Sequence, residues 1–316
     1  MTKYLARRLA FAVFLVIAVS SASLVLARLA PGDFVTASQG GQMSREAMER
    51  ARAQYGLNKS LGAQYVDWIV AAAHLDFGQS LLYDRPVRDL IPERAANTAI
   101  LALTAIVLAT LVGLPLGVIS GSRRGGAVVG AIRSASLVLL SMPPLLTSLF
   151  LVFLAARSGW LPVAGMRSAQ LPAGGALLDL IRHLVVPAAA IGLPLAAMLE
   201  RVQAQAMREV VDQPFVLATL ARGVPRARVV WRDALKPALR PVASVYGLII
   251  GTLLSGSFAV EVITAWPGLG NLMLNALRAR DVYLVAGCAG AGAMFLAIGT
   301  LVSDLALGLV DPRGRA

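Results

Sequence analysis

Side chains that could carry chemistry are few and far apart in this chain of 316 residues. The two histidines, His74 and His183, are too distant in sequence to form the HExxH pair of a zinc peptidase. No lysine follows a glycine, which excludes the GxxxxGK(S/T) loop that binds ATP phosphates, and no GxSxG nucleophile turn is present. Cys288 is the only cysteine, so neither an internal disulfide nor a cysteine-rich metal cluster can form. These observations indicate a protein that is not an enzyme and holds no metal.

Composition instead indicates a polytopic membrane protein. Apolar residues make up 57% of the chain and charged residues only 15%, well below the ~25% of soluble domains. Six uncharged runs, most of them near the ~20 residues that a membrane-spanning helix needs, cover residues 10–27, 95–122, 134–156, 184–199, 241–260 and 282–303. The fourth run is short and contains Pro187 and Pro194, which predicts a kinked helix that faces protein or water. The sequence therefore predicts an all-α fold with six transmembrane helices and no charged group buried along them.

The net formal charge of +12 is distributed in a way that predicts orientation rather than nucleic-acid binding. If the N-terminus is inside, the cytoplasmic connections are strongly basic, with Lys3, Arg7, Arg8, Arg123, Arg124, Arg133 and the cluster between residues 201 and 240. The short outer connections carry only Arg157, Arg167, Arg182, Arg278 and Arg280. The positive-inside rule then places both termini in the cytoplasm.

The long outer loop, residues 31–94, has the pattern of a small folded module. Ser44 can cap a helix that stops at Gly56, and residues 64–73 form a second amphipathic stretch that includes Trp68. Its acidic and basic residues nearly balance. Such a module could contact a soluble partner, act as a lid, or only shield the outer mouth of the protein.

Small residues recur at four-residue spacing inside two of the runs. Gly113, Gly117 and Gly121 lie in the second run, and Gly247, Gly251 and Ser255 lie in the fifth. This spacing lets helix backbones approach closely in lipid. We expect it to serve helix packing within one subunit rather than a dimer interface.

Residues 212–241, DQPFVLATLARGVPRARVVWRDALKPALRP, form a basic, helix-prone connection between the fourth and fifth runs. Gly223 and Pro225 can join two short helices there, because glycine permits the turn without a side-chain clash. Such a knob on the cytoplasmic face is suited to docking a soluble partner. The alternative is a basic loop held only by anionic lipid headgroups.

Four segments of the chain resemble the permeases of binding-protein-dependent ABC importers, in particular the B-type subunit of dipeptide and oligopeptide transporters. Residues 215–241 resemble the cytoplasmic EAA loop, which commonly reads YVRTARAKGLS followed by HALRNALLP. VEVITAWPGLG at 260–270 resembles VETVFSWPGLG, and LVSDLALGLVDPRGR at the C-terminus resembles LLVDLLYALLDPRIR. The fourth segment is the start of the chain, YLARRLA at 4–10 followed by LAPGD at 29–33. Within the outer loop, PGD at 31–33, YGL at 55–57 and DFGQS at 76–80 are typical of the B-type subunit.

The resemblance implies that the basic knob is the coupling helix that inserts into an ATPase subunit. The residues it implies for this contact are Ala218, Thr219, Ala221, Arg222, Gly223 and Arg226. Two departures stand out: Asp233 replaces the usual histidine, and Pro237 falls inside the motif. Because proline removes a helical N–H, we expect a kink after Ala234.

The resemblance also implies an outer-gate or turn element at Glu261, Trp266, Pro267, Gly268 and Gly270. A simpler interpretation makes Trp266 an interfacial anchor, and Pro267 and Gly268 a structural turn. This interpretation places Glu261 at the outer edge of the fifth helix.

The resemblance implies a type I ABC importer permease of the bacterial inner (plasma) membrane. In it, residues 1–30 form the first transmembrane helix, 31–94 the outer module, and 95–312 a five-helix core with the coupling loop at about 201–240. Its partners would be a second homologous permease, two ATP-binding subunits and an extracytoplasmic solute-binding protein. ATP and Mg²⁺ would bind only to the ATPase partners, and this chain would form part of an alternating-access pathway for peptides or related small solutes. The alternative function is a stand-alone secondary transporter or channel.

Overall fold

The computed structural model describes residues 2–39, 44–170 and 175–310, and its elements are almost all helical. They are α1 Thr2–Leu29, α2 Phe34–Gln39, α3 Arg45–Gln54, α4 Leu61–Ala73, β1 Gln79–Ser80, β2 Arg85–Pro86, α5 Val87–Ser122, α6 Ala127–Ser141, α7 Pro144–Ser158, α8 Gly175–Val211, α9 Pro214–Ala221, α10 Arg226–Arg228, a π-helical turn Val229–Ala234, α11 Leu235–Ile263, α12 Leu269–Arg278 and α13 Val282–Val310. The predicted all-α class is confirmed. The antiparallel hairpin of β1 and β2 was not predicted.

The uncharged runs coincide with the long helices. Within the described residues, α1, α5, α8 and α13 are each long and apolar enough to cross a membrane, and the bent pair α6–α7 makes a fifth span if it counts as one. The fifth run lies in α11, which has 29 residues. Six membrane-spanning segments are therefore consistent with the structure. The C-terminal motif extends past residue 310 and so lies partly outside the described residues.

The third predicted span is not one straight helix. Residues 134–156 are divided between α6 and α7, which are bent by 108° to each other. The cause is local, because Pro143 and Pro144 stand side by side between the two helices. A residue that precedes proline is driven out of the α conformation, and Met142 accordingly has the extended values φ −94° and ψ 118°. With 15 residues each, the two helices are individually too short to cross the hydrocarbon layer.

The chain divides into two compact units, residues 1–99 with 267–298 and residues 100–266 with 299–316. The first unit contains the outer module, whose predicted helices are confirmed as α3 and α4. The Ser44 hydroxyl accepts a hydrogen bond from Ala47 N at 3.3 Å at the start of α3, and Gly56 takes φ +64° beyond its end. Trp68 of α4 is buried against Leu24 and Ala286.

Ion pairing also holds the module together. The Arg52 guanidinium donates to the Asp33 carboxylate at 2.7 Å. Burial raises the pKa of Asp33, but hydrogen bonds from Thr36 and Arg52 outweigh that effect and lower the pKa below its usual value of 3.8. Asp33 is therefore charged at neutral pH, and it links the start of α2 to the end of α3.

Asp281 joins the hairpin to α13 inside the same unit. Its buried carboxylate accepts hydrogen bonds from the Ser80 hydroxyl at 2.6 Å, from Leu82 N at 3.0 Å and from Leu284 N at 3.1 Å. The last of these bonds caps the start of α13. One side chain thus fixes both the hairpin and a helix terminus.

The second unit is built around α8, and the glycine stripe of α5 packs against it. A Cβ atom added at Gly113 or Gly121 would lie 2.5 Å from the carbonyl oxygens of Ala196 and Ala204 respectively, and one at Gly117 would lie 2.6 Å from Gln203 Cβ. Real Cβ atoms do not come so close, so only glycine permits this approach. The predicted intrasubunit packing face is confirmed for α5. The corresponding prediction for Gly251 and Ser255 lies outside the residues whose side chains the structure describes.

Candidate partner-docking site

The segment between α8 and α11 places α9 on the surface while anchoring it to the core. Pro214 occupies the first helical position, where its missing N–H has no intrahelical partner to lose. Val216 is 1% exposed and packs in a cluster with Met207 of α8 and with Val229 and Ala234 of the π-helical turn. A short helix is thereby held in a fixed position by a few buried contacts.

The predicted contact residues cluster on one face of α9. Ala218, Thr219, Ala221 and Arg222 line an open groove of about 960 Å³, whose other wall is formed by Arg232, Asp233, Lys236 and Pro237. Phe215, Ala218, Thr219 and Arg222 follow the i, i+3, i+4, i+7 spacing of a single helix face. Four of the six predicted residues therefore share one surface.

Local hydrogen bonds orient the polar side chains of this face. The Thr219 hydroxyl donates to the Phe215 carbonyl at 2.8 Å and accepts from the Arg222 guanidinium at 3.2 Å. Arg222, Arg232 and Lys236 provide three positive charges against the single carboxylate of Asp233. The groove therefore combines small side chains, one exposed aromatic ring and a net positive charge, which suits an acidic, shape-complementary partner.

Gly223 and Arg226 lie outside the groove. Gly223 has φ +81° with no atom within 4 Å of an added Cβ, so it provides the turn after α9 as predicted. Arg226 points to the other side of α9, where its guanidinium donates to the Ser122 carbonyl at 3.0 Å. The second predicted short helix is not separate: α10 continues through the π-helical turn into α11.

The expected disturbance at Pro237 takes the form of this π-helical turn. In an α-helix the proline ring would clash with the carbonyl of Asp233, four residues earlier. The turn ends at Ala234, three residues before Pro237, and Leu235 N bonds to the carbonyl of Val230, five residues back. The carbonyl of Asp233 thus belongs to a wider turn with one extra residue, and helices are commonly distorted both at prolines and at such π-bulges.

The expectation that no charged group is buried along the spans is wrong. Glu200 is 2% exposed and accepts a hydrogen bond from the fully buried Ser120 hydroxyl of α5. The neighbouring Gln203 is also fully buried, and its side-chain amide has no hydrogen-bond partner among the described residues. Sequence reasoning missed this polar contact because Glu200 directly follows the fourth uncharged run, whereas α8 continues for another eleven residues.

The outer element that begins at Glu261 belongs to both units. Residues up to Trp266 are part of the second unit, and residues from Pro267 onward are part of the first. In the second unit, Glu261 and Trp266 are both fully buried, and Trp266 belongs to the main hydrophobic cluster with Leu101 and Ile249. Its backbone N–H donates to the Glu261 carbonyl at 2.8 Å. Trp266 is therefore a core residue, and its interpretation as an interfacial anchor is wrong.

In the first unit, Pro267, Gly268 and Gly270 lie at the start of α12. The Asn97 amide donates to the Pro267 carbonyl at 2.9 Å, and the Thr98 hydroxyl accepts from Leu269 N at 2.8 Å. Pro267 and Gly268 lie in the connection between α11 and α12. The outer-gate role of these residues stays a prediction.

Arg232, Lys236 and Phe215 are groove residues that sequence reasoning did not select. The i, i+7 spacing of Phe215 and Arg222 was a usable signal, whereas Arg232 lies in the π-helical turn and Lys236 at the start of α11, where a residue pattern gives no side-chain direction. His74 caps the end of α4, and His183 is buried with Nδ1 2.8 Å from the Asp179 carbonyl oxygen. Across residues 2–39, 44–170 and 175–310, no three His, Cys, Asp or Glu side chains form a set that could hold a metal ion.

Comparison with known proteins gives a consistent result over the whole chain. Residues 113–316 match the family model of the binding-protein-dependent transport system inner membrane component, and residues 1–102 match the N-terminal model of the same membrane component. The chain is 30% identical over 315 residues to the oligopeptide transport system permease protein AppB of Bacillus subtilis (strain 168), covering 99% of both chains. It is 33% identical over 337 residues to the di/tripeptide transport system permease protein DppB of Pseudomonas aeruginosa (strain UCBPP-PA14), covering 100% of this chain and 99% of the relative.

These matches confirm the resemblance seen in the four sequence segments. They extend from the first helix to the C-terminal residues and include the segment that carries α9 and its groove. The chain belongs to the family of inner membrane components of binding-protein-dependent transport systems.

Proposed function

We propose that this chain is the B-type permease subunit of an ABC importer for peptides or related small solutes. It pairs with a homologous permease, and together they alternate access to a shared pathway. Two ATP-binding subunits drive the change, and an extracytoplasmic binding protein delivers the solute. The peptide class is supported by the relatives from Bacillus subtilis and Pseudomonas aeruginosa, which are named as oligopeptide and di/tripeptide permeases.

The observation that carries the coupling role is the groove beside α9. Small side chains at Ala218 and Ala221 leave space, and Arg222 and Lys236 supply positive charge at its edges. Because α9 is anchored through Val216, a force on this surface is transmitted to the cluster around α8 rather than lost in a flexible loop. Closure of the two ATPases would therefore move the membrane helices as well as the loop.

The proposed orientation places α9 and both termini in the cytoplasm. The basic residues near α9 and at the end of α5 support it through the positive-inside rule. A cysteine introduced at the exposed position Ala218 should react with a membrane-impermeant maleimide only after the cells are opened. Labelling in intact spheroplasts would place the groove outside and contradict the proposal.

The decisive variant is Arg222→Glu, which reverses one charge in the groove. We expect normal membrane insertion, at least a tenfold loss of ATPase subunits in co-purification, and a matching loss of transport. Arg240→Glu is the control, because it makes the same change of charge at an exposed position outside the groove. Gly223→Asp should act similarly to Arg222→Glu through strain at φ +81°.

Two results would contradict the coupling role. One is solute-stimulated ATP hydrolysis at the normal rate in a complex that contains Arg222→Glu. The other is transport by the isolated chain in liposomes without any ATPase, which would favour a stand-alone transporter.

A further inference from the structure

A second cavity of about 860 Å³ lies on the opposite side of α9 from the groove. The end of α5, the connection that follows it, and parts of α6, α8, α9 and α10 form its walls. Leu217 and Leu220 of α9 face it, and neither belongs to the groove face. A partner bound in the groove would therefore contact one face of α9 and leave this cavity, on the other face, open.

Five arginines surround this cavity, with one carboxylate among them: Arg123, Arg124, Arg133, Arg208, Arg226 and the single acid Asp212. The acid cannot neutralise them, because its one ion pair is with Arg124 at 3.5 Å and both side chains are largely exposed. Neither Arg123 nor Arg133 forms a hydrogen bond or ion pair within the described part of the chain. The cavity is thus strongly positive and has unused donors.

Half of the lining is apolar. Val211, Leu217, Leu220 and Val230 contribute hydrocarbon surface directly beside the guanidinium groups. A free phosphate or nucleotide would not use such an apolar wall for binding. An amphiphile with an anionic headgroup and an acyl chain matches both the arginines and the apolar side chains. The chemistry therefore favours a lipid over a soluble anion.

The position of the cavity fits the same ligand. It begins at Gly121 and Ser122, where the apolar helix α5 ends after 36 residues. The uncharged part of α5 also ends at Ser122, and arginines that directly follow an uncharged membrane-spanning run lie at headgroup level. The orientation given in the proposed function places the cavity at the cytoplasmic leaflet, and the inference rests on the proposed function in this respect alone.

We propose that this cavity, which we call the arginine cleft, binds the phosphate headgroup of an anionic phospholipid of the cytoplasmic leaflet. The phosphate lies between Arg123 and Arg133, and the acyl chains pass along the apolar side chains beside α9. Bound lipid would stabilise α9 on the face opposite the groove. The cleft is distinct from the groove, because the two surfaces use opposite faces of that helix.

The test is a titration of the purified full chain in neutral detergent with tetraoleoyl cardiolipin, followed by native mass spectrometry. The variant is Arg123→Gln with Arg133→Gln. The control is Arg228→Gln with Arg240→Gln, which removes the same charge from exposed positions outside the cleft. Each cleft arginine should contribute about fivefold to affinity, so the double variant should bind about 25-fold more weakly while the control stays close to the native chain.

If the double variant misfolds, the single variant Arg133→Gln can replace it, because this change alone should weaken cardiolipin binding about fivefold. Equal weakening in the control pair, or none in the cleft variant, would overturn the proposal. Displacement of cardiolipin by millimolar pyrophosphate would assign the site to a soluble anion and would also overturn it. So would a cleft variant that binds cardiolipin normally but no longer retains the ATPase subunits. None of the lipid measurements requires an ATPase, so the proposed transport function can fail independently.

Discussion

Replacing Gly117 by alanine tests the close approach of α5 and α8. The added Cβ would lie 2.6 Å from Gln203 Cβ and 2.8 Å from the Glu200 carbonyl oxygen. The second contact is with backbone, which cannot rotate away, so the helices must separate by a distance on the order of 1 Å. Overpacking of this kind typically lowers the free energy of unfolding by about 1–3 kcal/mol.

Alanine also favours the helix by up to about 1 kcal/mol relative to glycine, which would hide part of the loss. Gly130→Ala provides the correction, because Gly130 lies in α6 with no atom within 4 Å of an added Cβ. Both variants share the gain in helix propensity, so their difference isolates the packing. We expect Gly117→Ala to be about 2 kcal/mol less stable than Gly130→Ala.

The assay is equilibrium unfolding of the purified chain in mixed micelles with increasing dodecyl sulfate, followed by tryptophan fluorescence. Equal stability of the two alanine variants would show that α5 and α8 are not packed this closely. A larger side chain sharpens the comparison. Gly117→Leu should prevent folding, whereas Gly130→Leu should fold normally.

Two further predictions concern buried carboxylates. Asp281→Ala removes three hydrogen bonds and should lower the free energy of unfolding by about 2–3 kcal/mol; limited proteolysis should then cleave the hairpin near Ser80 faster, and an unchanged cleavage rate would contradict the role of Asp281. Glu200→Gln keeps an acceptor for the Ser120 hydroxyl and should be nearly neutral, whereas Glu200→Ala should lose about 1–3 kcal/mol in the same unfolding assay. Equal effects of the two Glu200 variants would show that the hydrogen bond contributes nothing.

Features set by local chemistry were predictable from the sequence. The long helices follow from the length of the apolar runs, because lipid satisfies no backbone hydrogen bonds. The helix after Ser44 follows from its cap, and the close packing of Gly113 and Gly117 follows from their spacing. The family followed from four short segments, which could be compared without knowing the fold.

Features set by the far ends of helices were not predictable in the same way. The burial of Glu200 depends on how far α8 continues beyond its apolar run and on what packs there, which a residue pattern does not show. The 108° bend at Pro143 and Pro144 had a visible signal in the paired prolines, but the uninterrupted apolar run concealed it. The second wall of the groove lies in the π-helical turn and at the start of α11, and a residue pattern does not show where such a turn forms.

That turn has a geometric consequence for evolution and engineering. Each residue of an α-helix advances the direction of its side chain by about 100°. Deleting one residue between Val229 and Ala234 would restore regular α-helical winding. The preceding segment, α9 and α10, would then rotate by roughly 100° about the axis of α11. The orientation of α9 relative to α11 therefore depends on one extra residue, which a one-codon deletion would remove.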